Sequence, residues 1–236
     1  MLDLLQKGIL YGVTYPSVTI GGVLAILISA VVPYLLGSVN TAVLISRLFY
    51  GADIRTQGSG NGGLTNMLRV YGKKAALFVL LGDMLKTALS VLFVALFFGF
   101  HYGAFAFACN SLLYVAGTFC IIGHIFPVYF KFKGGKGVLC TATMVLILSP
   151  IAFGVLFGVF ILLLAVTHYV SLSSITVGLL YPFALNRIMA LFGIGASGPI
   201  ILLTVLIGLL IFYCHRENIV RLREKRENRF YFRKKH

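Results

Sequence analysis

The chain has 236 residues, 59% of them hydrophobic and 11% charged, with a mean hydropathy of +0.98. Soluble domains carry about 25% charged residues, and a soluble core of this length cannot hide so much apolar surface, which excludes an ordinary soluble globular protein. The formal charge of +14 fits an anionic membrane surface, and no element that reads nucleic acid is expected.

The apolar runs are unbroken and lack period-two alternation, so they read as helices and not as barrel strands. A bilayer core takes about 20 apolar residues per helix. Spans are predicted at 21–48, 75–100, 104–124, 138–149, 151–168, 172–191 and 198–214, the fourth short and closed by Pro150. Residues 1–19 form an N-terminal extension whose one basic residue is Lys7, with no cleavable signal pattern. Of the 20 Lys and Arg residues, all but Lys7, Lys86 and Arg187 fall in 47–74, 125–137 and 215–236. Seven spans with the N-terminus outside place those segments in the cytoplasm, as the positive-inside rule requires. The expected fold is therefore an all-α integral membrane protein: a seven-transmembrane-helix bundle, N-terminus outside, C-terminus cytoplasmic. It forms a single membrane-embedded domain over 1–236, ending in a basic cytoplasmic tail, 222–236.

Several polar residues inside or beside the spans invite structural readings. Asp83 and Lys86 lie three apart in span two and so share a helix face; charges there are expensive and call for an ion pair or a clamp on a loop. Ser38 and Asn110 read as interhelical hydrogen-bonders. Ser171, Ser173 and Ser174 at the turn between spans five and six either donate to an anion or cap span six. His101, His168 and His236 are assigned to interface or tail. Cys109, Cys120, Cys140 and Cys214 lack metal-site spacing and read as reduced packing thiols; no metal is expected.

Three polar stretches, all on the expected cytoplasmic side, are too specific for connectors. The first is Gly-Ser-Gly-Asn-x-Gly-x-Thr-Asn-x-x-Arg at 58–69. Its glycines allow close backbone approach, its short polar side chains donate hydrogen bonds, and Arg69 offers a fork suited to phosphate. No strand precedes it, so its G-x-G-x-x-G match does not indicate a dinucleotide fold. The second is Gly-His-x-Phe-Pro at 123–127 followed by Phe-Lys-Gly-Gly-Lys-Gly-Val at 132–138. It is a glycine-rich turn at a helix start, with Lys133 and Lys136 as point charges. The third is His-Arg-x-Asn-Ile-x-Arg-Leu at 215–222, with His215, Asn218 and Leu222 on one helical face.

Together these motifs resemble the bacterial acyl-phosphate-dependent glycerol-3-phosphate acyltransferases, in order, spacing and sidedness, from about residue 30 onward. The resemblance implies an acyltransferase that moves an acyl group from acyl phosphate to the sn-1 hydroxyl of glycerol 3-phosphate. The products are lysophosphatidic acid, a phospholipid precursor, and inorganic phosphate. It implies a multi-pass protein of the bacterial inner membrane with a cytoplasmic active site, no cofactor, and membrane lipid as a partner. By resemblance Ser59, Arg69, Lys136, His215 and Asn218 hold the substrates and support transfer. Asn61, Thr65, Asn66, Gly134, Gly135 and Ser174 line the phosphate pocket. The chain departs from the family pattern at Leu64, at Leu139 and Cys140, and at Lys225, which replaces a glycine; Glu227 keeps the acidic position.

An acyl phosphate is already activated, so no covalent enzyme intermediate is needed. The acceptor proton goes either to His215, oriented by Asn218, or to a substrate phosphate oxygen. No His-x-x-x-x-Asp pattern is present. The alternatives are an anion transporter, which would place its polar sites near the midplane, and a lipid-binding subunit without turnover.

Overall fold

A computed structural model describes residues 20–98, 111–193, 195 and 197–230. The extension 1–19 with Lys7, then His101, Cys109 and Asn110, and the end of the tail from residue 231 with His236 lie outside these residues. Among the described residues every regular element is helical. Chain packing gives two compact units, the first running to Leu148 and the second starting at Ser149.

The first unit contains α1 (Ile20–Gly37), α2 (Thr41–Tyr50), α3 (Leu64–Phe98), α4 (Ser111–Ile125) and α5 (Val138–Leu148), with short 3-10 turns at Ile54–Thr56 and Val128–Phe130. Helix α4 packs against α1, α3 and α5. A Cβ on Gly37 would overlap the carbonyl of Cys120, and one on Gly123 the carbonyl of Tyr34. Bare backbone at those two points lets α1 and α4 lie close, the small-residue route by which helices associate in lipid. Asn40 caps α2, its Oδ1 accepting from Val43 N at 2.9 Å.

The apolar run of the second span follows a break at Gly72, close to the expected start near 75, but a helical segment precedes it. Helix α3 starts at Leu64, so the end of the first polar motif is helical. Leu64, Met67, Val70 and Tyr71 pack with Val43, Ile54 and Val79, and that tertiary contact outweighs the loop-like composition. The helix is interrupted at Gly72, whose φ of 82° and ψ of −169° only glycine adopts readily. The break separates a short loop-side segment from the apolar run that follows.

The second unit contains α6 (Pro150–Thr167), α7 (Val170–Leu191), α8 (Gly198–Cys214) and α9 (Arg216–Arg223). Helix α7 packs against both α6 and α8. Helices α8 and α9 meet at a 55° bend at His215.

Among the described residues, five helices are long and apolar enough to cross a bilayer: Gly22–Tyr50 taken across its break, Leu64–Phe98, Ser111–Phe130, Pro150–Thr167 and Val170–Leu191. A sixth is added if Gly198–Cys214 and Arg216–Arg223 count as one bent span. The fourth expected span is helix α5, with 11 residues. At 1.5 Å per residue it covers about 16 Å, half of a hydrocarbon core near 30 Å.

Candidate active site

In the first unit the two glycine loops meet. Gly62 N–H donates to Gly134 C=O at 3.4 Å. Buried Asn40 reaches the same point, its Nδ2 donating to Gly62 C=O at 3.2 Å. The stronger tie is Arg55. Its Nε and one terminal nitrogen grip the Asp53 carboxylate at 2.9 and 2.7 Å, while Nη1 donates to the carbonyls of Phe130 and Lys133, each at 2.8 Å. Arg47 adds a bond to Asp53 at 2.8 Å. The Arg55 fork holds the Asp53 carboxyl well below the usual carboxylate range, against the opposing effect of partial burial. One guanidinium thus bolts the first loop to the second.

Within the first loop Asn66 is buried and turned inward. Its Oδ1 accepts from Ser59 N at 2.9 Å, and its Nδ2 faces the carbonyls of Ile54, Gln57 and Asn61 at 3.0–3.2 Å. Asn66, expected as a phosphate ligand, has its amide engaged by the loop's own backbone. The side chains of Ser59, Thr65 and Arg69 are exposed around it, and Asn61 is half-buried.

The second loop closes the C-terminal end of α4. Gly134 N donates to Ile125 C=O at 3.1 Å and Gly135 N to His124 C=O at 3.0 Å, satisfying carbonyls that a helix end leaves without partners. These two N–H groups, expected to line the phosphate pocket, are therefore occupied by backbone. Any Cβ on Gly135 would collide with the His124 ring, so the glycine is required by that contact. Lys131 and Phe132 precede it with φ of 57° and 56°, two non-glycine residues in the left-handed region. Lys136 is half-buried immediately before α5.

The face these loops build has two helix N-termini, α3 at Leu64 and α5 at Val138, with Arg69 on the first and Lys136 beside the second. Helix N-termini and adjacent cations favour anions. Beneath, in α3, Asp83 and Lys86 form the expected ion pair at 2.9 Å, with both residues buried. Asp83, His124 and Cys140 are a grouping of metal-type donors, but the Lys86 ammonium lies 2.9 Å from both Asp83 Oδ1 and His124 Nδ1 and supplies the cation there.

In the second unit His215 is buried at the α8–α9 bend, and its Nδ1 donates to Ile211 C=O at 2.8 Å. In the neutral ring that bond leaves the lone pair on Nε2. Asn218 Nδ2 donates to Glu227 Oε1 at 2.7 Å, Ser171 Oγ to the same oxygen at 3.0 Å, and Arg221 Nε to Oε2 at 2.8 Å. Burial pushes the Glu227 carboxyl up, but these three donors outweigh it and hold it below the usual range. Ser174, expected in the phosphate pocket, is buried and donates to Val170 C=O within α7 at 2.8 Å. Ser173 likewise donates back to Tyr169 C=O.

Asp53, Arg55, Asn40 and Glu227 carry this architecture without having been singled out for these roles. Glu227 was visible as one of three acids in or near the third motif, beside Glu217 and Glu224. The reach of Arg55 across 78 residues to Lys133 leaves no trace in local sequence.

The model for the family described as glycerol-3-phosphate acyltransferase matches residues 27–225. The chain belongs to the glycerol-3-phosphate acyltransferase family. A family member of Geobacillus kaustophilus is 39% identical over 194 residues, covering 82% of this chain and 90% of that protein. One of Chlorobaculum parvum is 37% identical over 219 residues, covering 85% and 94%. The fold is similar to the crystal structure of PlsY, an integral membrane glycerol 3-phosphate acyltransferase, in its glycerol 3-phosphate form, with a TM-score of 0.71 and 34% identity. That match covers 88% of this chain and 96% of PlsY. The lysophosphatidic acid form of PlsY matches with a TM-score of 0.70 and 32% identity. The chain is thus an all-helical integral membrane protein of this family.

Proposed function

We propose that the protein transfers an acyl group from acyl phosphate to the sn-1 hydroxyl of glycerol 3-phosphate, releasing lysophosphatidic acid and inorganic phosphate. The observation that carries this reading is the junction of the two glycine loops, which sets two helix N-termini, Arg69 and Lys136 on one face of the first unit. The family model spans residues of both units, so the activity belongs to the chain as a whole.

The chemistry asks for little beyond binding. Both substrates are anions and must be brought together against their repulsion. Holding them in place contributes roughly 7–11 kcal/mol to lowering the barrier, and fixed cations and N–H dipoles stabilise charge that develops on the transferring group. Arg69 and Lys136 supply the cations, and Ser59, Asn61 and Thr65 the short polar contacts. Asn66, Gly134 and Gly135 act through the loop backbone. His215 and Asn218 of the second unit help hold the substrates, with Ser174 and Glu227 supporting them. The acceptor proton leaves for a phosphate oxygen of the donor or for His215. Turnover of His215→Gln separates the two: near-normal rates assign the proton to the substrate, and a collapse assigns it to His215.

The protein crosses the bacterial inner membrane seven times, N-terminus outside, with the loops and tail in the cytoplasm. The placement of Lys and Arg supports this orientation. The deciding experiment supplies the purified protein with acyl phosphate and labelled glycerol 3-phosphate. Labelled lysophosphatidic acid is expected. Its absence with folded protein overturns the reading.

A further inference from the structure

Lys86 has more partners than an ion pair requires. Its ammonium donates to Asp83 Oδ1 at 2.9 Å, to Val39 C=O at 3.0 Å and to His124 Nδ1 at 2.9 Å. Those acceptors lie on α3, on the break between α1 and α2, and at the end of α4. An ammonium has three protons and no lone pair, so all three are engaged and His124 Nδ1 must accept. An imidazolium would set N–H against N–H at that distance. The proton of the neutral His124 ring is therefore on Nε2, the atom that a Cβ on Gly135 would strike. His124 also accepts Gly135 N–H through its own carbonyl. Half-buried Thr41 adds a donor, its Oγ bonding to Asp83 Oδ1 at 3.1 Å.

We propose that Lys86 is a positioning residue for the second glycine loop: it fixes the orientation and tautomer of His124, and the His124 ring and carbonyl hold residues 134–136, so that Lys136 is presented at the anion face. Asp83 keeps the ammonium in place, and Val39 C=O registers it against the chain leading to Asn40 and Gly62. The buried pair thereby acts on both loops from within the membrane. This rests on reading the loop face as the substrate anion site, which the turnover assay on the wild-type protein tests separately.

The ion pair on its own is a matter of stability, and exchanging both members for uncharged residues of similar size is often neutral for stability. The double variant Asp83→Asn with Lys86→Met is expected to melt close to the wild type. Its KM for at least one anionic substrate should rise about tenfold while kcat changes less, a loss of about 1.4 kcal/mol in substrate binding. Wild-type KM in a folded double variant overturns the proposal. The variant His124→Asn keeps an acceptor for Lys86 but removes the ring from beneath Gly135. It is expected to remain folded with raised KM, and an unchanged KM also overturns the idea. Nitrogen-15 NMR of histidine-labelled protein gives a readout free of turnover. The His124 resonances, assigned by their loss in His124→Asn, should report the Nε2–H form in the wild type and a changed form in Lys86→Met. An Nδ1–H ring or an imidazolium in the wild type sinks the proposal even if the enzyme is active. A wild type without turnover sinks the functional reading and leaves the tautomer test to decide the rest.

Discussion

Arg55 commits its guanidinium fork to protein partners, which sets it apart from Arg69, exposed on the same loop. The two arginines are expected to fail differently. Arg69→Ala or Lys136→Ala should leave a folded, inserted protein whose turnover falls by about a hundredfold or more, the scale seen when one charge-stabilising donor is lost; wild-type turnover in either removes the anion-face reading. Arg55→Lys loses the fork that joins the loops and should loosen both, lowering the melting temperature as well as activity. Asp53 ties this to pH. Its folded-state carboxyl is held below the unfolded value near 3.9, so its contribution is fully present above about pH 4 and is lost as pH falls further. Melting temperature in detergent should therefore show no Asp53 contribution to its pH dependence between about pH 5 and 8. Asp53→Asn should lower it at neutral pH and soften its decline in acid. The polar character of the first loop was readable from the motif, with its glycines, hydroxyls and Arg69 at fixed spacing. What was not readable is direction. Asn66 and Thr65 are adjacent and both polar, yet one faces inward to the backbone and the other outward. Only the packed turn of α3 decides which.

At the level of elements, the end of α9 shows why one departure from the family pattern is tolerated. Lys225 N donates to Leu222 C=O at 3.1 Å and Arg226 N to Arg221 C=O at 2.8 Å, the paired bonds of a Schellman ending. Lys225 has φ of 56° in the position that glycine normally fills. A side chain there costs about 1 kcal/mol, which the cap bonds and the Glu227 cluster offset. Lys225→Gly is expected to stabilise the protein by roughly 0.5–1 kcal/mol, seen as a higher melting temperature with unchanged turnover; a lower melting temperature contradicts this account. The helices themselves were legible because long apolar runs leave little choice in lipid. Their ends were legible in part: the apolar run after Gly72 starts close to the expected 75, whereas the helical segment before Gly72 packs around Val43 and Ile54, a tertiary fact.

For the whole molecule, sidedness is the property most exposed to test. In a background lacking the native cysteines, Lys131→Cys and Glu224→Cys should be protected from an impermeant thiol reagent in intact cells, while Gly195→Cys should react. The reverse pattern refutes the orientation, and labelling of 131 and 195 from one side refutes the seven-crossing count. One buried feature also bears on how such a chain enters the bilayer at all. Asp83 and Lys86 sit a single turn apart on the same helix, so α3 reaches the lipid already neutral on that face. Had the two charges been placed on different helices, each would have met the insertion machinery bare, at about 2.5–3.5 kcal/mol apiece. Carried together on one helix, they offset each other's charge, and the cost of bringing that helix into lipid is lower than for two separate bare charges.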